Sequence, residues 1–281
     1  VSNGSDSTQV APPRATKKPN SLKIHDCERI DNYYWMRDRD DPVVIEWLEA
    51  ENAYRTAAMA KTEKLQEKLV SELRDRIKQD DQSAAYPDRG YHWYSRTIDG
   101  KQYEVHYRRK LDSHQVQEVG DEELVLDENL LAEGHEFCLV AGVEVSPSGR
   151  IVAWPVDFVG RRMFTIQFRD METGKMLDEE ILDTTGNLVF AEDNLHLFYT
   201  RQDPDTLRSD RVFCHRLGTD SSTDRLIYTE IDEQFSVHVA PTKSRRFVQI
   251  VSSQTLSSEV QLLDAHNPQQ PPVIFFPRER N

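Results

Sequence analysis

Three stretches of this chain share one layout, a polar turn running into a short apolar strand: Ser146 to Trp154, Ala191 to Tyr199 and Thr242 to Ile250. Each is followed by a loop and a second strand of alternating character, at Thr165 to Arg169, Arg211 to His215 and Ser258 to Leu262. A fourth, earlier copy runs from Asp88–Tyr94 to Tyr103–Arg108. The starts recur at roughly 45 to 60 residues, the range of one four-stranded propeller blade. A β-sandwich also spaces short strands regularly, but it has no reason to repeat a turn-strand-loop-strand unit this closely. The expectation is a mainly β fold: a partial β-propeller over residues 84–281, with blades at 84–135, 136–186, 187–232 and 233–281. The pattern is still running at Asn281, which predicts a protein cut off mid-fold, its last blade incomplete or its ring left open.

Ahead of the propeller the chain falls into two parts. Residues 1–20, rich in Ser, Pro, Lys and Asn, bury too little apolar surface to order themselves and read as a disordered tail. Residues 21–83 read as an extension with two helices. Asp41 before Pro42 supplies an N-cap with proline at the first helical position, and Ile45, Leu48, Ala53, Tyr54 and Ala57 recur at helical spacing. A second stripe, Leu65, Leu69, Val70, Leu73 and Ile77, comes with Glu72 four residues before Arg76 for a modest ion pair. It spans too few heptads for a coiled coil, so a helix packed on another domain is expected. Between tail and helices stands Asp31–Asp38, with three consecutive aromatics. Tyr33, Tyr34, Trp35, Arg37 and Asp38 are expected to form an interdomain latch, large apolar area with polar handles clamped between two bodies. A base-stacking role would need a basic surround, which this chain lacks.

Charge and cysteines narrow the partners. Lys and Arg number 35 against 49 Asp and Glu, a formal charge of −14. Such a field argues against nucleic acid and anionic membranes and favours cationic peptides. Cys27, Cys138 and Cys214 are odd in number and far apart, which reads as free thiols in a reducing, cytoplasmic setting. The longest apolar stretch, Phe137 to Val143, is broken by Gly142 and is far short of a membrane span. No signal peptide is visible, and Asn3-Gly4-Ser5 reads as a chance glycosylation match in a polar tail.

Chemistry-bearing motifs are absent from the string. There is no Gly-x-Ser-x-Gly nucleophile elbow, no Cys-x-x-Cys, no His-Glu-x-x-His and no nucleotide-binding glycine loop, so no catalytic, metal or cofactor residue is assigned. His135, Glu136 and Cys138 could be imagined as a ligand cluster but read as polar residues leading into a strand. Asp203, Asp205, Asp210 and Asp220 lack the spacing calcium needs. Arg161–Arg162 and Arg245–Arg246 are read as solvent-side strand ends at equivalent places in two blades.

The segments Asp31–Asp38 and Glu49–Tyr54 resemble the N-terminal region of the prolyl oligopeptidase family of serine peptidases. The likeness continues through Gly90–Arg96, Gly100–Tyr103, Leu126–Asn129, Ala132–His135, Asp170–Gly174, Phe198–Arg201 and Ser258–Asp264. Together these are most similar to the oligopeptidase B branch over roughly residues 16–281; Met36 stands where leucine is usual, and Ala84–Pro87 is a variant segment. The resemblance implies an extension, a seven-bladed propeller and a C-terminal α/β-hydrolase domain that holds the Ser-His-Asp triad and is missing from this chain. It implies, for the intact enzyme, cleavage of short peptides after Lys or Arg, with the propeller as a lid that gates access. The partners implied are the hydrolase domain, in cis or in trans, and short basic peptides. A free-standing propeller interaction module without peptidase activity is the alternative.

Overall fold

The computed structural model describes residues 11–112, 114 and 117–279, in two compact units that divide between Lys78 and Gln79. The first ten residues of the expected tail lie outside the described residues.

The first unit opens with an antiparallel hairpin of β1 (Asn20–Ile24) and β2 (Cys27–Asp31), paired from Asn20↔Asp31 to Ile24↔Cys27. Its two-residue turn has positive φ at both His25 and Asp26, the geometry whose twist matches the flanking strands. The sequence reading missed this hairpin because both strands are largely exposed, so no apolar alternation marks them. Helix α1 (Pro42–Met59) starts where expected, with the Asp41 carboxylate accepting from the Val43 amide at 2.9 Å. Its buried residue is Val44, while Ile45 and Leu48 of the expected apolar face are exposed. Helix α2 (Glu63–Arg74) ends one turn sooner than the stripe suggested. Glu72 meets Lys68 at 3.6 Å, and Arg76 lies past the helix end.

The second unit is built of antiparallel sheets. The first holds β3 (Asp81–Gln82), β4 (Tyr86–Asp88), β5 (Tyr91–Thr97), β6 (Val105–Leu111) and β7 (Glu118–Asp127). It begins at Asp81, ahead of the expected residue 84, because β3 pairs with the far end of β5. The next sheet runs through β8 (Leu139–Val140), β9 (Glu144–Val145), β10 (Ile151–Asp157), β11 (Phe164–Asp170), β12 (Lys175–Phe190), β13 (His196–Gln202), β14 (Ser209–Arg216) and β15 (Arg225–Thr229). The last holds β16 (Ser236–Pro241), β17 (Phe247–Ser253), β18 (Ser258–Asp264) and β19 (Val273–Phe276). The middle sheet is two blades fused through β12, whose first half pairs with β11 and whose second half pairs with β13. Thr184 pairs with both, and Gly186, at φ +85, lies just beyond it. This yields four blades.

The core explains why the inner strands read as apolar on successive residues. On β10, Val152, Trp154 and Val156 face a cluster with Trp93, Val125 and Leu126 of the first blade, while Ala153 faces Ile166, Phe168 and Tyr199 on the other side. On β13, Leu197 and Tyr199 join that second cluster, and Phe198 points into a third with Val237, Val239, Val248 and Ile250. Side chains two apart share a face, so a strand between two blades needs apolar residues on both. Three clusters thus fill the three spaces between four blades.

Candidate functional site

The turns joining the first and second strands of the blades are built alike. The Ser146 amide donates to the Ile151 carbonyl, Ala191 to His196 and Thr242 to Phe247, at 2.8 to 2.9 Å. The fourth residue of each turn is left-handed: Gly149 at φ +75, Asn194 at +62 and Arg245 at +59. In the first blade a two-residue turn, Arg89 at φ +48 and Gly90 at +79, closes the Asp88↔Tyr91 pair. Glycine and asparagine tolerate this region, whereas an arginine there is uncommon.

These turns meet one another. Arg108 donates to the Gly149 carbonyl, the Ser148 amide to Asn194 Oδ1 at 2.6 Å, and the Glu192 amide to the Ala265 carbonyl at 2.7 Å, tying blades one to two, two to three and three to four. Two ion pairs skip blades. Arg89 grips both carboxylate oxygens of Glu192 at 2.8 and 3.2 Å, and Arg245 pairs with Asp88. Glu144 on β9 faces the same group. Crowding by surrounding protein and the Asp88 carboxylate push its carboxyl up to about 7, against the opposing pull of Arg245 and Arg89. Its side chain keeps exposure to solvent and so part of its hydration.

None of this is acyl-transfer machinery. Besides the more exposed pairs of His92 with Glu118 at 3.0 Å and His106 with Glu128 at 2.7 Å, two imidazoles carry an orienting carboxylate, His215 with Asp224 at 2.7 Å and His196 with Asp193 at 2.6 Å. Among the described residues neither meets a serine or cysteine: the far nitrogen of His196 faces Gln269 at 3.1 Å and that of His215 faces Glu179 at 3.5 Å. A cavity of about 720 Å³ lies beside β12 and the β14–β15 connection, floored by Ile151, Leu177 and Leu217 and walled by Asp178, Glu180 and Asp220.

The residues singled out in the sequence scatter. In the first unit the Trp35 indole donates to the Thr16 carbonyl at 3.0 Å with the Lys18 ammonium 4.7 Å over its ring, and the Arg37 guanidinium bonds the Tyr34 hydroxyl and covers its ring. Tyr33 and Asp38 are exposed. His135 stacks on Phe158 at 3.9 Å and Cys138 is buried among apolar side chains, well away from a ligand geometry. Asp203 accepts from the amides of Asp205 and Thr206 within one loop, Asp210 pairs with Arg211, and Asp220 caps a short helical turn, so the four aspartates serve local turns and pairs. Arg161–Arg162 and Arg245–Arg246 are not equivalent: the former lie in the β10–β11 connection wrapped around Asp157, the latter in a first-strand turn. Arg245 is an ion-pair partner instead of a solvent-side strand end. The charges of Asp88, Arg89 and Glu192 went unread, although superposing the repeated turns on their left-handed residues would have exposed them. No described helix is long and apolar enough to cross a membrane.

Three antiparallel sheets, the middle one two blades fused through β12, with apolar clusters between the blades, define part of a β-propeller. A family model for the prolyl oligopeptidase N-terminal β-propeller domain matches residues 12–281, and the chain belongs to that family. It is 40% identical over 285 residues to dipeptidyl aminopeptidase BI of Pseudoxanthomonas mexicana, spanning 97% of this chain and 39% of that protein. Against protease 2 of Moraxella lacunata the identity is 29% over 261 residues, 92% of this chain and 38% of that one. Oligopeptidase B from Leishmania major superposes at a TM-score of 0.87 with 33% identity, covering 96% of this chain and 40% of that structure. The chain spans about two fifths of the length of the relatives it matches. Those relatives are peptidases of the prolyl oligopeptidase family.

Proposed function

We propose that this chain is the N-terminal propeller part of a serine endopeptidase like oligopeptidase B, which hydrolyses short peptides after Lys or Arg. The observation that carries this is the likeness to Leishmania major oligopeptidase B, TM-score 0.87 over 96% of the chain. This part gates access and supplies no triad; the hydrolysing groups belong to an α/β-hydrolase domain acting in cis or in trans. A formal charge of −14 favours basic peptides over anionic ones. Three unpaired cysteines support a cytoplasmic setting. The segment Tyr33, Tyr34, Trp35, Arg37 and Asp38 is the latch between extension and hydrolase domain, and residues 84–281 form the gating body.

The 40% identity to dipeptidyl aminopeptidase BI favours a second reading, release of dipeptides from free N-termini. The full-length protein, assayed with an N-terminally blocked Arg-coumarin peptide and with an unblocked dipeptide-coumarin, separates the two. Cleavage of the blocked substrate supports the endopeptidase. Turnover of the unblocked one alone overturns it, and turnover of neither favours a free-standing propeller module.

A further inference from the structure

We propose that Asp88, Arg89, Glu192 and Arg245 form an ionic clasp across the centre of the propeller, holding the turns of non-adjacent blades together and releasing them when the charges are screened. Neighbouring blades are already joined by apolar clusters and by hydrogen bonds at their turns. Blade one is joined to blades three and four differently, through guanidinium–carboxylate pairs between residues 103 and 157 positions apart. The two kinds of tie respond differently to salt. Burial of apolar area is strengthened or little changed by it, whereas partly exposed ion pairs are weakened.

The backbone points the same way. Both clasp arginines occupy left-handed positions, Arg89 at φ +48 in its two-residue turn and Arg245 at +59, where the equivalent positions of the second and third blades hold Gly149 and Asn194. A side chain held where its backbone is disfavoured is a sign that the side chain itself is required there. The pairs differ in depth: Arg89 and Glu192 are 9% and 14% exposed, Arg245 and Asp88 40% and 22%. The outer pair therefore yields first, and the inner one, bidentate and better shielded, holds longest. Glu144, near both, is a third carboxyl group facing the two arginines. The paired turns follow the first strands of their blades, and the blades of a propeller are arrayed around a central channel. The inference rests on reading these sheets as the gating body, and names the residues that gate.

Spin labels at Lys110→Cys and Lys243→Cys, in a Cys27→Ser background of the whole chain, report the separation of the blade-one and blade-four turns by pulsed dipolar spectroscopy. At about 0.1 M salt, where charges act over about 10 Å, a single narrow distance is expected; at about 1 M, where the reach is about 3 Å, it should lengthen and broaden. Arg89→Gln and Arg245→Gln should produce the broad distribution at low salt, and the exchanged pair Arg89→Glu with Glu192→Arg should restore the narrow one. A distance unmoved by salt overturns the clasp even if a variant fails to fold. So does a narrow distance in folded Arg89→Gln and Arg245→Gln. The readout involves no peptide cleavage, so its failure is separate from a failure of the peptidase assays.

Discussion

The Nδ1 nitrogen of His215 lies 2.7 Å from one carboxylate oxygen of Asp224, and the Tyr199 hydroxyl donates to the other at 2.8 Å. His215 and Asp224 are only 1% and 2% exposed, and Glu179 approaches the far side of the imidazole at 3.5 Å. Strands β12, β13 and β14 and the approach to β15 thereby converge on one ring.

Burial disfavours the imidazolium, but the two carboxylates outweigh it and hold the His215 pKa up to about 9, above its ordinary 6.5. A pKa raised by folding gives stability that is fully present below about 6.5 and lost as pH rises through about 9, on the order of 3 kcal/mol in all. Urea melts of the wild-type chain between those limits should show this decline. His215→Gln should flatten it, and an unchanged slope in that variant would count against the imidazolium.

Beyond β19, Arg278 pairs with the buried Glu230 and stacks on Phe235 at 3.7 Å, while Ser252 donates to the same carboxylate. Burial raises the Glu230 pKa, yet these bonds outweigh it and bring the carboxyl down to about 2. Its contribution is present above the ordinary 4.5 and lost as pH falls through about 2. Arg278→Ala leaves the carboxylate buried and unpaired, and should cost about 3 to 5 kcal/mol. Hydrogen exchange should show β19 loosening first.

Gly186 is required by its conformation and its surroundings. At φ +85, an added Cβ would lie 3.0 Å from the Ala141 Cβ and 3.1 Å from the Phe164 ring. Gly186→Ala should destabilise by about 1 to 3 kcal/mol, measured by denaturant melts. Gly120→Ala, at φ +82 in open space, isolates the backbone share and should cost less.

All four residues of β19, Val273 to Phe276, are exposed, as are Leu65, Leu69 and Leu73 of α2. An outermost apolar strand invites edge pairing. The isolated chain should therefore self-associate in a concentration-dependent way on sedimentation. Ile274→Lys with Phe276→Lys should shift it toward monomer; no shift would move attention to α2.

Much of this molecule was legible in the string. The turn and strand pattern from Ser146 to Ile250 located β10, β13 and β17, because a blade between two others needs apolar residues on both faces of its inner strands. Asp41 and Pro42 fixed the start of α1 by local hydrogen bonding alone. The hairpin at Asn20–Asp31 was not legible, since exposed strands leave no apolar period, nor was the fusion of two blades through β12, since pairing on two edges leaves no mark in side-chain character.

What the sequence determined by itself is the local alphabet: which residues turn, which alternate and which repeat, all set within a few positions by backbone sterics and side-chain polarity. The tertiary structure decided which charges meet. Arg89 and Glu192 lie 103 positions apart, Asp88 and Arg245 157. Nothing in either neighbourhood tells these arginines which carboxylate they will meet. Their partnership exists because blade packing carries these turns to one place, and Coulomb attraction then selects among the charges it finds there.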